Sequence, residues 1–204
     1  MTNTNRKVIA NIAMSIDGYV SEPDNGMAWI GEHAVSDQSS RHFEGIWRNV
    51  STVLLGRINY EGFGGFWPQV AKNPDIGWFP PETARRQYDM AVWLDEVEKV
   101  VFSRTLQTAE WSNARIAERE LEDEVRALKA APGRNILVLS SVSVIRALLN
   151  ANLLDELQLT ILPVILGPGG RRLFDDDVPP SKWRVDQMTT FPSGAVAFQY
   201  VVKG

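Results

Sequence analysis

The 204-residue chain contains no cysteine, which excludes disulfides, thiolate nucleophiles and every cysteine-ligated zinc or iron–sulfur centre. Histidine is scarce: only His33 and His42 supply imidazole. Two histidines without carboxylate or thiolate company read as structural, so no metal site is expected. Basic residues do not outnumber acidic ones. Lys and Arg total 21 against 25 Asp and Glu, a formal charge of -4, which argues against a nucleic-acid partner. No apolar run nears the roughly 18 residues that cross a bilayer, and the opening MTNTNRK lacks the apolar centre of a signal peptide. A cytoplasmic protein without a membrane partner is expected. No G-x-G-x-x-G follows the first apolar run, and no Walker lysine, H-E-x-x-H or G-x-S-x-G elbow is present, so triad hydrolysis and nucleophilic catalysis have no sequence support.

What is present is a 44% hydrophobic content, ample for one packed domain spanning residues 1–204. Residues 7–14, KVIANIAM, read as a central strand. Asp17 and Gly18 follow it, where glycine allows a tight path and the carboxylate either faces a ligand or stabilises the turn. Residues 37–50 predict an amphipathic helix with His42, Phe43, Ile46, Trp47 and Val50 near one face. TVLL at 52–55 is a second strand that runs into Gly56-Arg57 at a helix start. Such a junction offers a phosphate close backbone approach and guanidinium donors, or is a plain turn with a solvated arginine. That helix is expected to end by Trp67, with residues 68–87 a long loop or lid anchored by Trp78 and Phe79.

A third strand at 97–102 ends on Ser103-Arg104-Thr105, in the same position as Gly56-Arg57. Two strand ends that each deliver an arginine suit a dinucleotide bearing an extra phosphate, as in NADPH. Residues 118–130 predict a connecting helix stopped by Pro132-Gly133. The stretch 135–173 then packs a buried strand, a serine turn, a helix with Val144, Ile145, Leu148 and Leu149 at helical spacing, and another strand. Ser141 or Ser143 can cap that helix, whose N-terminus is a natural anion site. Residues 183–191 and 195–202, joined at Pro192-Ser193-Gly194, form a hairpin. The pattern predicts an α/β fold whose mixed, mostly parallel central sheet is flanked by helices and closes with a C-terminal antiparallel hairpin.

Several pieces together resemble the dihydrofolate reductase-like superfamily, and within it the RibD C-terminal reductase branch. Ser15-Ile16-Asp17-Gly18 is similar to that branch's S-x-D-G. Leu55-Gly56-Arg57-Ile58-Asn59-Tyr60-Glu61 is similar to its L-G-R-x-T-Y-E, with Asn59 where threonine is usual. Val101-Phe102-Ser103-Arg104-Thr105-Leu106, Leu154-Asp155-Glu156-Leu157 and Pro163-Val164-Ile165-Leu166-Gly167 complete an ordered set over residues 7–202.

The resemblance implies NADPH along the sheet's carboxyl edge and hydride transfer to a pterin-like or pyrimidine-like ring, in a homodimer. It implies phosphate contacts at Gly56 and Arg57, the adenosine 2′-phosphate at Ser103, Arg104 and Thr105, and the pyrophosphate above Ser140, Ser141, Val142 and Val144. Asp17 would orient or help protonate the acceptor. Trp29, Phe43 and Trp47 are candidates to hold the acceptor ring, with core packing as the competing reading. The chain departs from the family at Ser140-Ser141, where glycine is common. That departure and the surplus tryptophans support an alternative, a non-catalytic small-molecule-binding protein that retains the fold. Without cysteine the zinc deaminase domain that accompanies the bifunctional riboflavin enzyme is excluded.

Overall fold

Strand alternation and helix periodicity set the architecture, described by a computed structural model for residues 6–175 and 177–203. In chain order the elements are β1 (Val8–Ser15), a short 3-10 turn (Ala28–Ile30), α1 (Gly31–Ala34), α2 (Asp37–Trp47), β2 (Val50–Gly56), α3 (Arg57–Lys72), α4 (Pro81–Glu96), β3 (Glu98–Phe102), β4 (Ala114–Ile116), α5 (Leu121–Ala130), β5 (Asn135–Leu139), α6 (Val142–Asn150), β6 (Glu156–Leu162), β7 (Trp183–Thr190) and β8 (Val196–Val202). The strands form one sheet in the order β4-β3-β2-β5-β1-β6-β8-β7. From β4 through β6 every pairing is parallel, and β8 runs antiparallel to both β6 and β7. The α/β class, the mostly parallel sheet and the closing hairpin are those the sequence predicts.

Period-two alternation divides the core between the two faces. Val8, Ala10, Ile12, Leu54, Ile136 and Val138 meet Val125 and Leu128 of α5 and Val144, Ile145, Leu148 and Leu149 of α6. Ile9, Val53, Leu55, Leu137 and Leu139 face the opposite way, against Ile46 and Trp47 of α2, Tyr60 of α3 and Trp93 and Leu94 of α4. Full burial of a side chain such as Leu148 is worth about 1.5–3 kcal/mol relative to exposure, which is what holds a helix of only nine residues in place. Because the parallel strands all point one way, the turns after β1, β2, β3, β5 and β6 gather on a single carboxyl edge.

Four expectations need correction. Helix α2 stops at Trp47, because Val50 is already a fully buried residue of β2. Helix α3 does not stop at Trp67; it carries Pro68 inside and continues to Lys72. One lost backbone hydrogen bond is outweighed there by the packing of Val70, which is 1% exposed. Residues 81–87 belong to the expected loop and 88–96 to no expected element, yet residues 81–96 form α4 with Pro81 in its first turn, where a missing N–H costs nothing. Only residues 73–80 remain as the connection, pinned by Trp78 stacked on Phe66 and Phe79 stacked on Trp67. The three-residue strand β4 was not anticipated either. Among the described residues, no helix is long and apolar enough to cross a membrane.

Candidate active site

Three strand ends on the carboxyl edge build the larger of two clefts. After β2, Gly56 occupies the N-cap of α3 with no side-chain cap, and after β5, Ser141 occupies the N-cap of α6, again without one. The two turns touch. The Gly56 N–H donates to Ser141 Oγ at 3.0 Å, and that hydroxyl donates to the Leu139 carbonyl at 3.2 Å. A Cβ at Gly56 would lie 3.2 Å from Ser143 Oγ, so glycine is what lets the turns approach. Between them opens a cleft of 730 Å³, lined by Gly56, Arg57, Val142, Ser143, Val144 and, from the end of β3, Ser103, Arg104 and Thr105. The first N–H groups of α6 have no intrahelical acceptor, and the helix dipole leaves them electropositive.

Four arginines line this cleft: Arg57, Arg104, Arg119 and Arg171. Arg57 is paired with Glu61 at 2.8 Å and Arg119 with Glu124 at 3.4 Å. The side chains of Arg104 and Arg171 have no ion-pair partner among the described residues. Glu118 and Glu120 also border the space, so its charge is positive but not uniformly so. Ser103 Oγ accepts from the N–H groups of Thr105 at 3.2 Å and Leu106 at 2.9 Å, a local turn that carries Arg104 out at the strand end. A second recess of 400 Å³ shares Val142, Ser143 and Arg171 with the cleft and adds Arg146 and Arg172.

The smaller cleft, 360 Å³, lies where α2, α3 and α4 cover the sheet, and Phe43 and Trp47 line it together with His33, His42, Asn11 and Thr160. Burial pulls both imidazoles below the ordinary histidine value, and the proximity of His42 adds to the effect on His33. His33 Nδ1 lies 3.0 Å from Ser193 Oγ. The β5–α6 turn divides the two spaces: Ser140 lines the smaller, and Val142 begins the wall of the larger.

The structure thus gathers Gly56, Arg57, Ser103, Arg104, Thr105, Val142 and Val144 in one cleft, and Phe43 and Trp47 in the other. The remaining expected site residues lie elsewhere. Ser141 is 1% exposed, turned inward by its bonds to Gly56 and Leu139, so it shapes the turn and leaves the cleft open. Ser140 borders the aromatic cleft instead. Its φ of 52° is left-handed, so the backbone keeps a conformation that glycine adopts freely. Trp29 lines neither cleft; it packs against the small apolar cluster of Leu162, Phe191, Ala195 and Ala197. Asp17 lines neither cleft as well. It accepts from Ser15 Oγ at 2.6 Å and from the N–H groups of Leu166 at 3.2 Å and Gly167 at 2.8 Å, joining the loops that follow β1 and β6. The Ser15 bond, with those N–H groups, holds its carboxyl below the usual carboxylate range, which suits an acceptor and not a proton donor.

Sequence reasoning missed Asn11, Thr160 and Arg171. Asn11 is a polar residue that interrupts the apolar run of β1, a usable signal, whereas Thr160 shares β6 with Glu156 and Gln158 and does not stand out. Arg171 follows Gly169-Gly170, a glycine pair that delivers a side chain to an edge.

Residues 6–197 match the family model of the RibD C-terminal domain. The chain belongs to that family. It is 30% identical over 202 residues, 98% of each chain, to YyaP of Bacillus subtilis (strain 168), a protein named as uncharacterized. A crystal structure from Shewanella sp. PV-4, provisionally described as a riboflavin biosynthesis protein, superimposes with a TM-score of 0.71 at 23% identity, over 97% of this chain and 99% of that one. The Thermotoga maritima diaminohydroxyphosphoribosylaminopyrimidine deaminase/5-amino-6-(5-phosphoribosylamino)uracil reductase gives 0.64 at 17% identity, over 99% of this chain and 58% of that one. At such identities the two structures speak for the RibD C-terminal fold alone. Within this family member, the S-x-D-G stretch is a loop clamp and the L-G-R and S-R-T stretches are the two walls of the larger cleft.

Proposed function

We propose that this protein is an NADPH-dependent reductase that transfers a hydride to a small pyrimidine-like or pterin-like heterocycle. The observation that carries the reading is the 730 Å³ cleft, on which two helix N-termini without side-chain caps and the unpaired Arg104 and Arg171 converge. Uncapped N–H groups and guanidinium forks are the donors that phosphates take, and a dinucleotide with a 2′-phosphate presents them at more than one point. On this reading Val142, Ser143 and Val144 hold the pyrophosphate, Arg104 holds the 2′-phosphate and Gly56 permits close approach. The name of the Thermotoga relative, whose reductase activity is on 5-amino-6-(5-phosphoribosylamino)uracil, supports a pyrimidine-type acceptor.

Held by Val142, Ser143, Val144 and Arg104, NADPH would supply a hydride to the carbon of an acceptor C=N bond, with the neighbouring nitrogen gaining a proton from solvent. The chain's own part is to bind and orient, with Phe43 and Trp47 excluding water from one face of the acceptor's space. Asp17 keeps the loops after β1 and β6 together. The binding-only alternative drew on the serine turn, and Ser141 leaves the cleft open, so that observation no longer favours it.

Titration of the pure protein with NADPH and NADP⁺, followed by melting temperature, tests the proposal. A stabilisation of about 2.7 kcal/mol is expected at a hundredfold excess over Kd. No change at millimolar nucleotide sinks the reductase reading.

A further inference from the structure

The Thermotoga relative is named for an acceptor that carries a phosphoribosyl group. A phosphate buried without a compensating charge is costly, so an enzyme for that acceptor needs a free cation where the acceptor sits. Among the described residues, the aromatic cleft has none to offer. Its single arginine, Arg86, is committed: Nε donates to Asp37 at 3.0 Å and Nη1 to Glu44. Burial disfavours the charged forms of His33 and His42. The arginines of the neighbouring recess, Arg146, Arg171 and Arg172, share lining residues with the nucleotide cleft and none with the aromatic one.

What the aromatic cleft does offer is apolar area and a carboxamide. Phe43, Trp47, Phe66, Trp67, Phe79 and Phe191 line it, walls that suit a flat ring. Asn11 lines it from β1, and no described residue takes a hydrogen bond from, or gives one to, its carboxamide. That group presents a donor and an acceptor side by side, the complement of a ring lactam. Thr160 stands opposite Ala13 on β6, two positions along from Asn11 on the same face, and adds a hydroxyl.

Resting on the reductase reading, we propose that the acceptor is an uncharged, unphosphorylated planar heterocycle with a lactam edge, read by Asn11 and Thr160 among the aromatic walls. A phosphoribosyl pyrimidine is excluded by the lack of a free cation.

Calorimetric titration tests this with 6,7-dimethylpterin and 2-aminoquinazolin-4-one as neutral lactam probes and 5-amino-6-(5-phosphoribosylamino)uracil as the charged one. The neutral probes are expected to bind at least about tenfold more tightly than the phosphoribosyl compound. Asn11→Ala should weaken the neutral probes by about tenfold while leaving the NADPH-induced rise in melting temperature unchanged. Thr160→Val, nearly isosteric, serves if Asn11→Ala fails to fold, and should weaken the same probes without affecting NADPH. Equal or tighter binding of the phosphoribosyl compound overturns the inference, as does failure of both neutral probes to bind; neither result touches the reductase reading if NADPH still stabilises the protein. Binding of the neutral probes by a chain indifferent to NADPH upholds the inference about the cleft and removes the reductase reading instead.

Discussion

The two edges of the parallel sheet treat polar groups in opposite ways. At the amino edge, donors find partners within the chain. Arg6, 5% exposed, gives hydrogen bonds to the carbonyls of Arg134 at 2.6 Å and Leu128 at 3.0 Å and to the hydroxyls of Thr52 at 2.6 Å and Ser51 at 3.2 Å. Lys99, fully buried, donates to the carbonyls of Leu94 at 2.6 Å and Val97 at 2.8 Å and sits 4.8 Å from the centre of the Trp111 ring. Asp155 accepts from the Val8 N–H at 2.8 Å and from Lys129 at 2.5 Å. At the carboxyl edge, α3 and α6 begin without side-chain caps, Arg104 and Arg171 have no ion pair among the described residues, and Ser140 holds a left-handed backbone. Unmade hydrogen bonds and strained dihedrals cost stability. They persist at one edge because the other edge and the core offset them; under the proposed function, a ligand would complete them.

The largest effect that can break this contrast is expected from Arg6→Ala. Removing the guanidinium leaves the buried Leu128 carbonyl without this donor and takes one from the Arg134 carbonyl, which keeps Ser51, and from the Thr52 hydroxyl, which still donates to Glu98; it should cost about 3 kcal/mol of stability, read from the urea midpoint at constant slope. NADPH affinity of the folded protein should stay within about twofold, since a stability change is not a change in the bound contacts. A large loss of affinity would show that the edges are coupled. Arg104→Ala is the mirror experiment. It should cost 1.5–3 kcal/mol of NADPH binding, about ten- to a hundredfold, and leave NADH binding and the melting temperature almost unchanged. Unaltered preference for NADPH over NADH would move the 2′-phosphate site away from the end of β3.

Lys99 sharpens the comparison through pH. Burial pushes it from 10.5 down to about 8, with Asp95 opposing the shift. Between about 8 and 10.5 the unfolded chain therefore binds more protons than the folded one, so stability rises with pH across that window. Below about 8 both states are protonated and the group adds no slope. The rise is at most about 1.4 kcal/mol per pH unit. Unfolding of the parent and of Lys99→Met at pH 7, 8, 9 and 10 measures it: the parent should gain relative to the variant above pH 8. Parallel profiles would mean that the carbonyl bonds keep Lys99 charged throughout.

How much of this was legible in the sequence depends on how far apart the interacting residues lie. Strand ends bearing Gly56-Arg57 and Ser103-Arg104-Thr105 are local features, and the larger cleft follows once parallel strands bring their ends together. Helix α6 and the closing hairpin were legible for the same reason, from spacing and from Pro192-Ser193-Gly194. Helix α4 was hidden because Pro80-Pro81 belongs equally to a loop and to a helix start. The inward turn of Ser141 depends on an N–H 85 residues away, and the partners of Asp17 lie 149 and 150 residues on. No window of local periodicity contains such pairs. The aromatic cleft is wholly tertiary: Asn11, Thr160 and Phe43 come from β1, β6 and α2.

Ser140→Gly gives the smallest effect, and one whose sign carries information. A non-glycine residue at φ 52° costs roughly 1–2 kcal/mol relative to the right-handed regions, and glycine relieves that cost while adding about 0.5–1 kcal/mol of unfolded-chain entropy. The net is a gain of up to about 1.5 kcal/mol, read from the urea midpoint. NADPH affinity should not change, because Ser140 borders the aromatic cleft and not the larger one. Weaker binding of 6,7-dimethylpterin with a more stable fold would mean that the serine is kept for its hydroxyl in the aromatic cleft. A less stable fold would contradict the view of this turn as strained, and with it the claim that the carboxyl edge is the costly one.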